Sequence, residues 1–173
     1  MSMEFFCWKY LDYFYGGQTK KAKLQHLTDA LIFLPYGTMV DHFQHIVYEN
    51  PALTPAERNA EWLRLEKIYR PFMDASGVPG YEDGRLWQRQ LHIYEYPFYY
   101  IDYCLAQTVA LEYWAMSQED YGLAFEKYLA FLEQGGRMTF TELCAVGQVV
   151  SPFTEGATKK VVSAAKEWLA AND

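Results

Sequence analysis

Between His92 and Tyr103 the sequence reads HIYEYPFYYIDY, and His92, Tyr94, Tyr96, Tyr99, Tyr100 and Tyr103 each carry a ring with a polar tip. Phenolic hydroxyls gathered beside an imidazole can donate hydrogen bonds to a carbonyl oxygen as it acquires negative charge, which is the physics of an oxyanion site. Tyr96, Tyr100 and Tyr103 are spaced four and three apart, so a helix beginning near Tyr96 would set them on one face. Aromatic stripes at that spacing also build cores, so spacing alone leaves both readings open. A second set is His42, His45 and Glu49, with Asp41 adjacent. These could share a helix face, but no fourth ligand is indicated, and a polar face with hydrogen-bonded histidines is the plainer reading; no metal site is assigned. The sequence contains no HExxH, Walker A loop, GxSxG elbow or GxGxxG after a strand.

The elements that must hold these side chains read as helices nearly throughout, which makes the expected fold class all-α, a multi-helix unit. Met1 to Tyr15 is an apolar and aromatic run stopped by Gly16-Gly17. A second helix starts near Thr19 and is expected to break or kink at Pro35, with a third from Thr38 to Tyr48. Thr54-Pro55-Ala56-Glu57 combines an N-cap threonine, a proline at the first helical position and a glutamate at N3, and predicts a helix to about Arg70. Ser76 to Gly84 is the loop richest in Gly and Pro, and it is expected to separate two helical halves of a single unit spanning 1–173. Leu91 to Tyr96 alternates like an extended piece, and Pro97 is expected to open a long helix through Met116. Ser117 to Asp120 and Thr139 to Glu142 are further helix starts, and a last amphipathic helix covers roughly Thr154 to Ala171.

Composition narrows the functional classes. The 173 residues carry 15 basic and 22 acidic side chains, a net charge of -7. A surface that tracks phosphates needs clustered Lys and Arg; Lys20, Lys21 and Lys23 form the main cluster, so no nucleic-acid partner is expected. No apolar stretch reaches membrane-spanning length, because Asp29, Asp102, Glu112 and Glu142 interrupt the richest windows, and the N-terminus does not read as a signal peptide. Cys7, Cys104 and Cys144 form no CxxC pair and read as buried thiols in a reducing cytoplasm. What stands out is the aromatic share, 18%, with 15 Tyr, 11 Phe and 5 Trp. So many tyrosines suggest either a thick core with hydrogen-bonded rims or a cavity lined with hydroxyls.

The run QLHIYEYPFYYIDYCLAQ resembles the C-terminal part of the catalytic domain in the oligoendopeptidase F and thimet-oligopeptidase family of zinc metallopeptidases. VDHFQHIVYENP and the opening SMEFF are similar to the oligoendopeptidase F branch, and the resemblance covers essentially the whole chain in order. It implies an all-α catalytic portion that closes one side of a deep peptide channel. In that family an HExxH helix gives two zinc-binding histidines and the glutamate base, and a following helix gives a third ligand, a glutamate. That glutamate lies about two turns before the position of Glu4, ahead of Met1, so zinc belongs to the complete family enzyme and is not expected on this chain alone. Glu4 matches a carboxylate that supports the metal site from behind its ligands, with a solvated or structural role as the alternative.

The resemblance also implies which residues meet substrate. His92, Tyr100 and Tyr103 match the histidine and tyrosines that hydrogen-bond substrate and the tetrahedral intermediate opposite the metal, and Tyr96 falls in the same pattern one turn earlier. The branch varies by one residue in this spacing, which leaves Tyr99 open in place of Tyr100; Tyr94 is carried as a further substrate-side residue. In the complete enzyme, zinc would polarise the scissile carbonyl and its bound water would attack. The expected function is therefore the substrate-binding portion of a zinc-dependent oligoendopeptidase, inactive alone, with peptides or an upstream catalytic half as partners. The alternatives are a non-catalytic helical module that binds peptides, and a structural protein whose groove another chain fills. A portion of a larger helical domain should expose surface that its other half covers, so self-association is expected, with the aromatic segment Met1 to Tyr15 at or near the contact.

Overall fold

In the computed structural model, which describes residues 1–172, the chain is all-α, and no strand occurs among the described residues. Contacts divide it into two compact units, Met1–Ala30 joined by the chain from Leu105 onward, and Leu31–Cys104. The divisions fall inside helices. The Ser76 to Gly84 loop, expected to separate two halves, lies within the second unit. Its glycines explain this placement. Gly84 adopts φ 75°, and a Cβ there would run into the carbonyl of Asn59, so the loop folds back onto the helix before it instead of linking separate bodies.

The first unit contains α1 (Ser2–Phe6), a 3-10 turn (Cys7–Tyr10), α2 (Asp12–Tyr15), and the first part of α3 (Thr19–Glu49). It continues with α6 (Tyr100–Glu119) from Leu105 onward, α7 (Tyr121–Glu133), α8 (Phe140–Val146) and α9 (Thr158–Asn172). The single helix expected over Met1 to Tyr15 is thus three short pieces, which turns Phe5, Phe6 and Trp8 inward. One result corrects the cysteine reading: Cys104 and Cys144 are buried, but Cys7, at the 3-10 turn between buried Phe6 and Trp8, is exposed. The core gathers Phe6, Val109, Tyr113, Ala124, Cys144 and Val149. Asp120, not Ser117, caps α7 by accepting from the Leu123 amide at 3.0 Å. Thr139 and Glu142 form the expected capping box on α8.

The second unit holds the rest of α3, α4 (Pro55–Tyr69), a 3-10 segment (Arg85–Arg89), α5 (His92–Glu95) and the first turn of α6. The α4 capping box forms as the sequence predicts, with Thr54 N–H donating to Glu57 at 2.8 Å. The core is Met39, Val40, Phe43, Trp62, Leu65, Trp87 and Ile93. The division into two helices expected at Pro35 does not occur: α3 runs 31 residues through it. An interior proline costs about 3 kcal/mol, and local packing offsets this. Gly37, two residues on, lets Cys104 approach so closely that a Cβ would overlap its sulfur, and Thr38 Oγ1 donates to the Leu34 carbonyl at 2.9 Å.

Candidate functional site

The His92 segment is built differently from its sequence pattern. Leu91 to Tyr96 is a helical turn, α5, and not an extended piece. It ends at Tyr96, φ -136° and ψ 67°, because the residue before a proline is pushed out of the α region. Phe98 then takes a positive φ of 61°, so α6 begins at Tyr100 and not at Pro97. That conformation is unfavourable for a bulky residue and is held by α3: the Phe98 ring lies 4.9 Å from the rings of both His45 and Tyr48. The Pro97 to Tyr99 turn brings together side chains that one helix could not.

Around His92 stand four tyrosines. Tyr100 and Tyr103 meet the imidazole edge-on at 5.0 and 5.7 Å, Tyr99 stacks on it at 6.4 Å, and Tyr96 lies at 6.4 Å. The tyrosines also touch one another, Tyr99 to Tyr103 at 5.1 Å and Tyr100 to Tyr103 at 5.4 Å. Both Tyr99 and Tyr100 therefore face His92, and each position keeps its place in the cluster. Tyr94 does not join it. Being two residues from His92 on a helical turn, it points elsewhere and stacks on Trp87 at 5.9 Å. Tyr96 reaches the cluster from the end of α5, not from the α6 face that its spacing suggested.

Two of these phenols are held toward the protonated form. Donating a hydrogen bond to Tyr99 raises the Tyr103 phenol above its ordinary value, and burial raises Tyr100. Neither is primed to act as a base, and both are suited to donate. Two residues that local pattern did not reveal complete the arrangement. Gln90 Nε2 lies 2.7 Å from His92 Nδ1, and Tyr36 donates its hydroxyl to Gln90 Oε1 at 2.8 Å. Tyr36 is 54 positions from Gln90, so no local spacing could have paired them.

The other candidates resolve into ordinary pairs. His42 Nδ1 lies 3.0 Å from the Tyr69 hydroxyl, and His45 Nε2 lies 3.5 Å from Asp41, whose carboxyl burial pushes up. Glu49 is exposed and joins neither. Glu4, on α1, lies 3.6 Å from His26 Nε2, while His26 Nδ1 accepts from the Trp8 indole at 2.7 Å. His26 was not singled out by sequence spacing, since Glu4 lies 22 positions before it. Among the described residues no group of three or more His, Cys, Asp or Glu side chains could hold a metal ion, so the zinc implied by the resemblance finds no ligand set on them. No step is routed through it. A cavity of about 430 Å3 behind α4, lined by Leu63, Glu66, Lys67, Arg70, Asp74 and Tyr81 among others, shares no residue with the His92 cluster.

Comparison with known proteins identifies the family of the chain. The chain superposes on a solved structure described as PZ peptidase A with inhibitor 2, with TM-score 0.93 and 48% identity over 98% of this chain and 30% of that one. A protein provisionally assigned as an oligoendopeptidase F gives the same values. A third, from Bacillus anthracis str. Ames and likewise assigned to oligoendopeptidase F, matches with TM-score 0.79 and 39% identity, over 98% of this chain and 27% of that one. The chain thus spans less than a third of the length of these solved relatives. No curated protein sequence matches it. The pattern that defines peptidase family M3 matches residues 1–162, and the chain belongs to that family.

Proposed function

We propose that these residues form the substrate-binding wall of a zinc-dependent oligoendopeptidase, with His92, Tyr100 and Tyr103 donating hydrogen bonds to a peptide carbonyl and to the oxyanion formed from it. Tyr96 and Tyr99 border that position. M3 peptidases are generally zinc-dependent. The observation that carries the reading is the cage itself: four phenols converge on one imidazole, and the phenols of Tyr100 and Tyr103 are biased toward the protonated, donating form. Donors preorganised around a developing charge are worth about 3 kcal/mol each when well placed. Zinc and the glutamate base are supplied by residues other than these 173, so the chain alone does not hydrolyse peptides.

Mixing the chain with zinc and a quenched fluorescent peptide tests the second statement; turnover abolished by chelation would overturn it. Titrating a labelled peptide tests the first: saturable binding that weakens in Tyr103→Phe is expected, and unchanged affinity counts against the channel. A second reading is a helical module that holds peptides or a protein partner without cleaving them. Supplying a separate catalytic half distinguishes the two, since only the first reading expects hydrolysis to appear.

The same proposal covers association. Tyr13 and Phe14 on α2 are 87% and 80% exposed, a patch that costs free energy in water and suits a second copy of the chain or the catalytic half. A clean monomer by sedimentation at tens of micromolar would exclude the former. Neither nucleic acid nor a membrane is proposed as a partner; no helix among the described residues is long and apolar enough to cross one.

A further inference from the structure

His92 is the hub of the cage, and what it can do depends on which ring nitrogen carries the proton. A neutral imidazole is a donor at one nitrogen and an acceptor at the other, and the partner of one decides the role of the other. Here the partner of Nδ1 is Gln90 Nε2, at 2.7 Å. An amide has two faces, an oxygen that only accepts and an NH2 that only donates, so its orientation must be fixed by something else. That something is Tyr36, whose hydroxyl lies 2.8 Å from Gln90 Oε1.

Tyr36 is well suited to the task. Burial pushes its phenol up to about 12, so the hydroxyl keeps its proton across the physiological range. Its ring is held from one side by the Arg70 guanidinium, 5.2 Å from the centroid, and Arg70 is itself tied to Glu66 at 3.3 Å. Against another face stand Trp62 and Tyr100, edge-on at 6.5 and 6.0 Å. The segment carrying Gln90 is anchored separately, by Trp87 Nε1 donating to Asn59 Oδ1 at 2.9 Å. With the phenol donating to Oε1, the NH2 must face the imidazole. Nδ1 then presents its lone pair, and the ring proton resides on Nε2. The reverse arrangement would need Tyr36 to accept from the amide and to place its own proton elsewhere.

We propose that Gln90, oriented by Tyr36, is a positioning residue that locks His92 in the Nε2–H tautomer. The imidazole is then a donor at its free nitrogen, the same sense as the Tyr100 and Tyr103 hydroxyls around it, so the cage presents donors in concert toward an oxygen bearing negative charge. The consequence for peptides rests on the function proposed above; the lock itself does not.

The test reads the tautomer directly. In the full chain labelled with 15N-histidine, a long-range 1H–15N spectrum at alkaline pH distinguishes protonated from lone-pair ring nitrogens, and His92→Gln identifies the His92 signals among the four histidines. The wild type is expected to show Nε2 protonated and Nδ1 bare. In Gln90→Glu the facing group can only accept, so the proton should move to Nδ1; in Tyr36→Phe the amide is released and a mixture should appear. A wild-type spectrum with Nδ1 protonated, or a pattern unmoved in Gln90→Glu, overturns the proposal. A merely structural role for Gln90 would not exchange the two nitrogens. Affinity for a fluorescein-labelled nonapeptide of Ala and Gly, measured on the same samples, separates the two ideas. A tautomer switch with binding weakened about tenfold, the worth of one hydrogen bond, supports both. A switch with affinity unchanged keeps the lock and counts against the peptide channel.

Discussion

Tyrosine serves opposite purposes in the two units. In the first, the Tyr113 side chain is fully buried, and its hydroxyl donates to the Gly147 carbonyl at 3.2 Å; the Tyr121 hydroxyl likewise ends on the Phe6 carbonyl at 3.3 Å. In the second, the rings of Tyr96, Tyr99 and Tyr103 face His92 and one another, and Tyr96 and Tyr99 remain 59% and 45% exposed. Burial is the largest cause of the raised phenol at Tyr113 and, in the second unit, at Tyr36 and Tyr100, whereas at Tyr103 it is the hydrogen bond donated to Tyr99. A tyrosine whose hydroxyl is spent on a backbone carbonyl closes a core, and one whose partners are other polar rings forms a polar-tipped cluster. The high aromatic share therefore has two origins, packed cores in both units and a polar-tipped cluster in the second.

Truncation should separate them most sharply. Tyr113→Ala removes a ring packed against Phe6, Tyr128 and Phe131 and leaves the Gly147 carbonyl without its partner. A loss of about 3–5 kcal/mol in urea unfolding is expected. Gly147→Ala should act on the same spot from the other side, because its Cβ would overlap the Tyr113 oxygen and lie 3.0 Å from the Phe131 ring. About 1–3 kcal/mol is the scale for such overpacking. If either variant were as stable as wild type, the core assignment of Tyr113 would fail.

Tyr103→Phe is the contrasting case. It deletes a hydroxyl at the cage and no ring, so unfolding free energy should stay within about 0.5 kcal/mol. Peptide affinity should fall about tenfold if the hydroxyl makes one good hydrogen bond. The same change at Tyr94, which stacks on Trp87 away from His92, should leave affinity unaltered. Equal losses at both positions would mean that the cluster is not what binds.

How much of this the sequence revealed follows the range of the interactions. Thr54 and Glu57, or Thr139 and Glu142, specify a helix start through contacts three residues apart, and those elements appear where their caps place them. The grouping of His92 with Tyr96, Tyr99, Tyr100 and Tyr103 was legible as a cluster of types, but its geometry was not. It depends on Pro97 barring Tyr96 from the helix and on α3 holding Phe98 at positive φ. Local sequence is also insufficient at Pro35, where α3 continues and the helix packs at Gly37 against Cys104, far apart in sequence. Tyr36 and Gln90 carried no local signal at all.

The two capping boxes supply the smallest and most symmetrical comparison. In each, the glutamate accepts from the threonine amide at 2.8 Å, and hydrogen bonds from the threonine lower the carboxyl of Glu57 and of Glu142 by the same causes. A carboxyl depressed in the folded state contributes stability above its unfolded value, and that contribution is lost as pH falls through the folded value. Both caps should therefore weaken on acidification below the ordinary glutamate range of about 4.3, and neither should respond between pH 6 and 8. The helices they start differ. α4 has 15 residues and anchors Trp62 and Leu65 in a core, while α8 has 7 and buries Cys144. A short helix has little propagation to sustain it once its cap is gone. Hydrogen exchange followed from pH 6 to 3.5, corrected for intrinsic rates, should show α8 amides losing protection before those of α4. Thr139→Ala, expected to cost about 1 kcal/mol, should produce the same loss at neutral pH, and Thr54→Ala should disturb α4 less. Equal sensitivity of the two helices would show that the cap, and not the packing beneath it, sets the stability of both.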